Sequence, residues 1–412
     1  MTDYPVSFAN TENAFAYKSD AELKKARFLF KSMGNPFLVR WGIKLTPWAI
    51  RVKLPIRGLI RSTIFSQFVG GEMLEQTAPV VHKLAHYNVK VILDYGVEGG
   101  NNGEAGFDKA CEEFIRVIHY AASQTSIPFI SIKITGIARF ELLEKLDRSL
   151  DLSSGSLMKR YVAALACFSD SEAAEWERVR GRMREICEQA AAKNIGVLVD
   201  AEETWIQDPV DVLSIQMMQD FNKEKVIVFN TVQLYRSDRL AFLKDMLEAA
   251  TLMNFVLGVK LVRGAYLEKE RERAAEKQYP SPIQPDKEAT DRDYNAGVAF
   301  CIEHMDHIAA IVASHNEESN LLAVKLLKNK GLSFGHPHIH FSQLYGMSDH
   351  ITFNLAKAGF SVSKYLPFGP IEDVVPYLMR RAEENSSLSG QTGREILLIK
   401  TEIERRKARS VQ

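Results

Sequence analysis

The sequence predicts an α/β protein: a (β/α)8 barrel preceded by an N-terminal helical arm. Three observations carry that expectation. Eight short Val/Ile-rich runs alternate with helical segments from residue 89 onward, and each run ends in polar or charged residues. No Gly-rich dinucleotide turn follows the first run, where Asn101-Asn102-Gly103-Glu104 stands instead. An open doubly wound sheet also accommodates eight strands, but it normally carries that turn.

Taken in order, residues 1–88 read as helices, with Ala21–Lys31, Thr46–Leu54 and Thr63–Tyr87 showing apolar residues at helical spacing. The expected strands are Lys90–Tyr95, Phe129–Ile134, Gly196–Val199, Val226–Val232, Val256–Val262, Ile308–Ala313, Ile339–Leu344 and Ser361–Leu366. Residues 89–395 therefore form the expected barrel, with a helical insertion at about 137–195 that holds Leu150–Lys159 and the charged helix Asp170–Lys193. Residues 396–412 read as a C-terminal helical tail. The run Ser363–Asn385 starts as a strand, breaks at Pro367, Gly369 and Pro370, and restarts as a helix carrying Arg380, Arg381 and Glu384.

Composition narrows the function classes. At 412 residues there is room for a barrel with extensions. Lys+Arg and Asp+Glu are both 52, so a general electrostatic hold on nucleic acid or anionic lipid is disfavoured and only a local basic patch is left open. Cys111, Cys167, Cys187 and Cys301 are widely spaced with no C-x-x-C pair, which suggests reduced thiols and neither a disulfide framework nor a zinc site. The first residues include Asp3, Glu12 and Asp20 and no apolar run of signal length, so neither a secretory nor a mitochondrial targeting segment is expected. The longest apolar stretch, Tyr161–Phe168, is too short to span a bilayer, and any membrane contact is expected to be peripheral.

Chemistry is sought at the strand ends. They present Lys133; Asp200, Glu202 and Glu203; Gln233 and Tyr235; Lys260, Arg263 and Gly264; Ser314, His315 and Asn316; Gln343; and Tyr365. Lys133 with Arg380 and Arg381 makes a cationic cup suited to a small carboxylate, because guanidinium offers paired donors and Glu384 lies one helical turn from Arg380. Arg263 with the Gly264-Ala265 backbone suits phosphates, and Lys260 suits a ring that gains negative charge. Each feature has a plainer alternative. Arg380, Arg381 and Glu384 read also as a solvated surface pair, Lys133 or Lys260 as a structural cation, Asp200 as a helix cap, Glu202 or Glu203 as solvated first-turn charges, and His315 as a hydrogen-bonded interior histidine. The tract His336-Pro-His-Ile-His340 reads as alternation at a strand start, and no metal site is expected.

Lys260-Leu-Val-Arg-Gly-Ala-Tyr266, Val199-Asp-Ala-Glu-Glu203, Val232-Gln-Leu-Tyr235, Ser314-His-Asn316, Gln343-Leu-Tyr-Gly-Met347 and Tyr377-Leu-Met-Arg-Arg-Ala-Glu-Glu-Asn385 together resemble the proline dehydrogenase family, over about residues 65–390. Asp94-Tyr-Gly-Val-Glu-Gly99 resembles the monofunctional, eukaryote-related branch, and an aldehyde-dehydrogenase half does not fit in this length. The resemblance implies a distorted (β/α)8 barrel of TIM type that binds FAD without a Rossmann domain. It implies Lys133, Arg380 and Arg381 on the proline carboxylate, Glu384 supporting the arginines, Tyr365 against the pyrrolidine ring and Leu261 lining the pocket. Lys260, Gln233 and Asp200 would surround the isoalloxazine. Val262, Arg263, Gly264, Ala265, Tyr266, Ser314, His315, Asn316 and Gln343 would bind the rest of FAD. Glu72 resembles the family's acidic gate, which pairs with an active-site arginine. Lys260 and Ser314 stand where some members carry Arg and Thr, swaps that keep the charge and the hydroxyl.

The implied reaction is hydride transfer from C5 of L-proline to flavin N5, giving 1-pyrroline-5-carboxylate, the first step of proline catabolism, with electrons passed to a membrane quinone. A cytoplasmic protein touching the inner membrane peripherally is expected. The nearest rival is hydroxyproline oxidation, disfavoured by the bulk of Tyr365. A Schiff-base aldolase using Lys133 or Lys260 and a flavin-free binding protein are the rivals from other classes. The sequence leaves oligomeric state open.

Overall fold

Short apolar runs bounded by turn residues become parallel strands because both faces of such a strand are covered and every side chain must be apolar or matched. The computed structural model describes residues 6–52, 55–96, 103–152, 155–387 and 389–410. Its strands are β1 (Lys90–Tyr95), β2 (Phe129–Ile132), β3 (Gly196–Val199), β4 (Val228–Gln233), β5 (Leu257–Val262), β6 (Ile308–Ala313), β7 (Ile339–Leu344) and β8 (Val362–Phe368). They form a closed barrel in sequence order, as the alternation predicts. The chain divides into two bodies, 1–96 with 315–321 and 341–412, and 97–314 with 322–340.

In the first body β8 pairs in parallel with β1 and β7, with Ile92 opposite Tyr365 and Leu344 opposite Tyr365. The strand runs two residues beyond the expected end at Leu366, through Pro367 and Phe368. Pro367 lacks an N–H but uses its carbonyl, which accepts from Gly70 N at 2.8 Å, so the proline costs the ladder little there. Gly369, at φ +147°, makes the turn instead, and the helix Ile371–Ser387 follows.

The expected run Thr63–Tyr87 is not one helix. A π-helical turn (Arg61–Phe65) and a single turn (Ser66–Phe68) stop at Val69, and helix resumes through Leu74–Thr77 and Ala78–Ala85. Gly70 explains the break: a Cβ there would lie 2.9 Å from the Leu366 side chain, so only glycine passes this close to β8. Upstream, the helices Asp20–Met33 and Pro36–Arg51 bury Leu23, Ala26, Phe30 and Val39 in one cluster with Val374, Leu378 and Ile399 of the C-terminal helices. Arg406, on the last helix Ser389–Arg409, locks this arrangement by donating to the carbonyls of Phe15 (2.8 Å) and Lys18 (2.9 Å) and to Asp20 (2.8 Å). The N-terminal helices thus pack on the C-terminal ones.

The second body contains β2 to β6. β2 ends two residues before the expected Ile134, because Ile134–Gly136 tightens into a 3-10 turn directly after Lys133. Between β2 and β3 stand the helices Phe140–Asp151, Leu157–Leu165 and Asp170–Lys193. The last begins with a Ser169/Glu172 capping box and ends at Asn194 in the left-handed region, so its limits are set locally. Trp176 on it is fully buried and donates to the Tyr161 hydroxyl at 2.8 Å.

Candidate active site

In the second body the strand ends arrange polar side chains in matched pairs. Lys260, the fourth residue of β5, is buried and pairs with Asp200, the residue after β3. Asp200 is itself anchored by its backbone N–H, which donates to Ile132 O at 2.9 Å. Gln233 ends β4; its Nε2 donates to Glu202 O at 3.0 Å, while its buried Oε1 has no partner among the described residues. Leu261 is fully buried, and strand alternation puts its side chain on the opposite face of β5 from Lys260.

Arg263 follows β5 and is triply held. Its Nε donates to Asp291 at 2.8 Å, its Nη1 to Ser314 Oγ at 2.7 Å, and its guanidinium stacks 4.2 Å from the Tyr294 ring centroid. Gly264 then adopts φ +140°, and a Cβ there would meet the Tyr235 ring at 2.3 Å. That position requires glycine and leaves Gly264 and Ala265 exposed ahead of half-buried Tyr266 and the helix Leu267–Lys277. Half-buried Val262 precedes Arg263.

Glu202 and Glu203 are buried rather than solvated, at 5% and 7% exposure. Glu203 pairs with Lys269. Glu202 accepts from the Thr135 hydroxyl at 2.6 Å and from Thr135 N at 3.2 Å. Burial pushes its carboxyl up to about 7, against the opposing pull of the Thr135 hydrogen bonds and of the Lys133 charge. Half-buried Lys133 thus faces an acid that still holds its proton in roughly half of the molecules near pH 7.

In the first body the helix Ile371–Ser387 carries the arginines. Arg381 is 6% exposed, pairs with Glu384 one turn on and lies 5.2 Å from the Tyr377 ring centroid. Its Nε and the Tyr377 hydroxyl are buried without partners among the described residues. Burial raises the Glu384 carboxyl while Arg381, and then Arg380, pull it down. Glu384 accepts a hydrogen bond from Arg381, three residues back, and also lies within the electrostatic reach of Arg380. Arg380 is half-buried at the preceding position, and Tyr365 is half-buried in β8.

The same body holds three residues expected on FAD. His315 Nδ1 lies 2.9 Å from Ser348 Oγ; Asn316 caps the helix Glu317–Asn329 by accepting from Ser319 N at 3.0 Å. Gln343 on β7 accepts from the Thr352 hydroxyl at 2.7 Å. Glu72 pairs with Arg61, and both line a cleft of about 630 Å³ with Phe65, Gly71, Met73 and Gln76. The motif beginning at Asp94 places Asp94 and Tyr95 on β1, but its residues 97–99 and the nearby Asn101-Asn102 lie outside the described residues.

The site residues the sequence reading missed are Asp291, Tyr294, Arg61 and Tyr377. Asp291 and Tyr294 are 28 and 31 positions from Arg263, which no local spacing reveals. Tyr377 was legible, since a residue four before Arg381 shares its helix face.

The proline dehydrogenase family model matches residues 78–394. The chain belongs to the proline dehydrogenase family. Membership places it among oxidoreductases acting on proline. It is 32% identical to proline dehydrogenase 1, mitochondrial, of Dictyostelium discoideum over 85% of this chain and 66% of that protein. It is 31% identical to hydroxyproline dehydrogenase of Xenopus laevis over 95% and 88%, and 36% identical to the carbapenem antibiotics biosynthesis protein CarD of Pectobacterium carotovorum over 85% and 86%. The fold matches proline utilization A from Bdellovibrio bacteriovorus, solved after inactivation by N-propargylglycine, with a TM-score of 0.68 at 18% identity. That match covers 91% of this chain and 38% of the larger protein. Among the described residues no helix is long and apolar enough to cross a membrane.

Proposed function

We propose that this family member oxidises L-proline to 1-pyrroline-5-carboxylate with FAD as the bound oxidant and a quinone as the terminal acceptor. The observation that carries the reading is Arg381: a buried guanidinium fixed by Glu384 and Tyr377, with one N–H still unmatched among the described residues. A buried cation with an open donor suits a small carboxylate.

In this reading Arg380, Arg381 and Lys133 take the carboxylate, and Glu384 keeps Arg381 in its rotamer. Carboxylate binding contributes orientation, holding C5 and the ring nitrogen in place. Tyr365 packs against the pyrrolidine ring, Leu261 supports the pocket wall, and Glu72 with Arg61 closes the approach. FAD fits the residues present. Buried Gln233 offers an acceptor that no other group fills among the described residues, Gly264 lets backbone approach closely, and Arg263 is fixed beside it by Asp291 and Ser314. Lys260, Asp200 and Gln233 would hold the isoalloxazine; Val262 to Tyr266, Ser314, His315, Asn316 and Gln343 would hold the remainder. When bound, the flavin supplies the two-electron oxidant that accepts hydride from C5 of proline. A quinone acceptor implies work at a membrane surface, in keeping with relatives named mitochondrial.

A second substrate is favoured by the relatives named hydroxyproline dehydrogenase, in Xenopus laevis and, at 31% identity, Bos taurus. Tyr365 argues against it, because a phenol ring against the substrate leaves little room for a ring hydroxyl. An anaerobic titration of the purified protein, following the oxidised flavin band, tests both. L-Proline should bleach the band at a concentration well below that of trans-4-hydroxy-L-proline; the reverse order assigns the second substrate, and a colourless protein overturns the reading.

A further inference from the structure

An amphipathic helix normally turns its apolar stripe inward and its polar residues out. The helix Pro36–Arg51 has two apolar faces. Val39 and Ile43 point into the cluster shared with the C-terminal helices. Phe37, Leu38, Trp41 and Leu45 are exposed at 67%, 53%, 51% and 48%. At about 100° per residue these four fall within a single arc of about 100°, roughly opposite Val39 and Ile43. The Phe37 and Trp41 rings are 6.0 Å apart, so the patch is continuous.

Charge identifies what covers this face. Arg40 and Lys44 flank the arc on one side, both exposed, and neither has an ion-pair partner among the described residues. From Gly34 to Gly71 the chain carries Arg40, Lys44, Arg51, Lys53, Arg57 and Arg61 and no Asp or Glu, although the whole chain has formal charge zero. Arg57 is matched by Glu372 and Arg61 by Glu72, both acids from beyond this segment, whereas Arg40 and Lys44 have no ion-pair partner among the described residues and stand as uncompensated charge beside the apolar arc. The preceding helix adds exposed Phe28, at 67%, between Arg27 and Lys31. A protein partner with an acidic groove would need only the charge; a flat apolar arc with an aromatic pair and a basic border is what sits at the boundary of headgroups and acyl chains.

We propose that the helix Pro36–Arg51 is a docking element that lies in the surface of an anionic lipid bilayer, with Phe37, Trp41 and Leu45 inserted below the headgroups and Arg40 and Lys44 on the phosphates. The proposal stands on these residues alone and does not depend on proline oxidation.

The test is co-sedimentation of the full chain with vesicles of phosphatidylcholine containing about one third phosphatidylglycerol, against phosphatidylcholine alone. Binding should favour the anionic vesicles, fall about fivefold for each charge removed in Arg40→Gln and Lys44→Gln, and drop more than tenfold in Trp41→Glu with Leu45→Glu. Proline oxidation with a water-soluble dye should be unchanged in these variants. Should the double glutamate variant misfold by circular dichroism, Trp41→Ser replaces it, and brominated lipid should quench the wild-type tryptophan signal by a clearly larger fraction than that of Trp41→Ser, which keeps Trp48 on the same helix. No binding, equal binding to both vesicles, or binding that survives these substitutions overturns the proposal. So does a dimer in gel filtration that the same substitutions dissolve, which would make a second copy of this chain the occupant.

Discussion

The charges at the ends of β3 to β6 and those on the helix Ile371–Ser387 are handled in opposite ways. Lys260 is neutralised by Asp200, Arg263 by Asp291 and Lys269 by Glu203, each partner coming from another element. Arg381 is held by Glu384 of its own helix and keeps an N–H unmatched among the described residues. The first set brings its own counter-charges, so its members brace the fold whatever further contact they make. The second keeps bonding capacity in reserve, and reserve is what a ligand needs. A buried pair stabilises little against an apolar substitute, yet breaking it leaves a lone charge in poor solvent. Removing a ligand-facing guanidinium should instead cost binding more than folding.

The sharpest break of that comparison is Arg381→Met. Proline oxidation should fall by about 10²–10³-fold in kcat/KM, the scale of a lost charged hydrogen-bond partner, with a thermal midpoint close to wild type. Stability should survive because Glu384, already raised by burial, can take a proton once its arginine is gone. A large drop in melting temperature would move Arg381 into the bracing set. Lys260→Met should do the converse, costing about 3 kcal/mol in urea unfolding because Asp200 is left without its cation. Asp200→Leu added to it should recover much of that loss, and a double mutant no better than the single would show that the pair is not the source.

The pH dependence of stability divides the two regions further. Glu202 has its carboxyl raised to about 7 in the fold from an ordinary value of 4.5, so the native state holds its proton more tightly than the unfolded one. Its contribution is full below pH 4.5 and is lost as pH rises toward 7, on the order of 3 kcal/mol in all. Glu202→Gln should flatten that part of the stability profile, measured by urea midpoints from pH 5 to 8; an unchanged slope would assign it to another group. The smallest effect concerns the backbone. Gly264→Ala should cost about 1–3 kcal/mol through its positive φ and the Tyr235 ring, and flavin retained per chain on desalting should fall with it.

Much of the barrel was legible because parallel strands write themselves as apolar runs, and β1, β3, β6 and β7 begin and end where those runs do. The misreadings came where a local rule met a distant neighbour. Pro367 reads locally as a strand breaker, but its carbonyl is paired with Gly70, some 300 residues earlier. Thr63–Tyr87 has helical spacing, but Gly70 must pass within contact of Leu366 and the helix stops. The alternative of Glu202 or Glu203 as solvated first-turn charges falls for the same kind of reason, because the fold buries both.

The sequence by itself determined the alternation that makes the barrel, the caps that end Asp170–Lys193, the family motifs, and the placing of Arg380, Arg381, Glu384 and Tyr377 on one helix. All of these depend on neighbours within a few residues, where propensity and periodicity act. Only the tertiary structure decided that Lys260 meets Asp200, that Arg263 meets Asp291 and Ser314, and that Glu72 meets Arg61. Those pairings depend on which strands and turns the closing barrel brings within hydrogen-bond reach, and on the cost of leaving any buried charge unmatched, which no local pattern records.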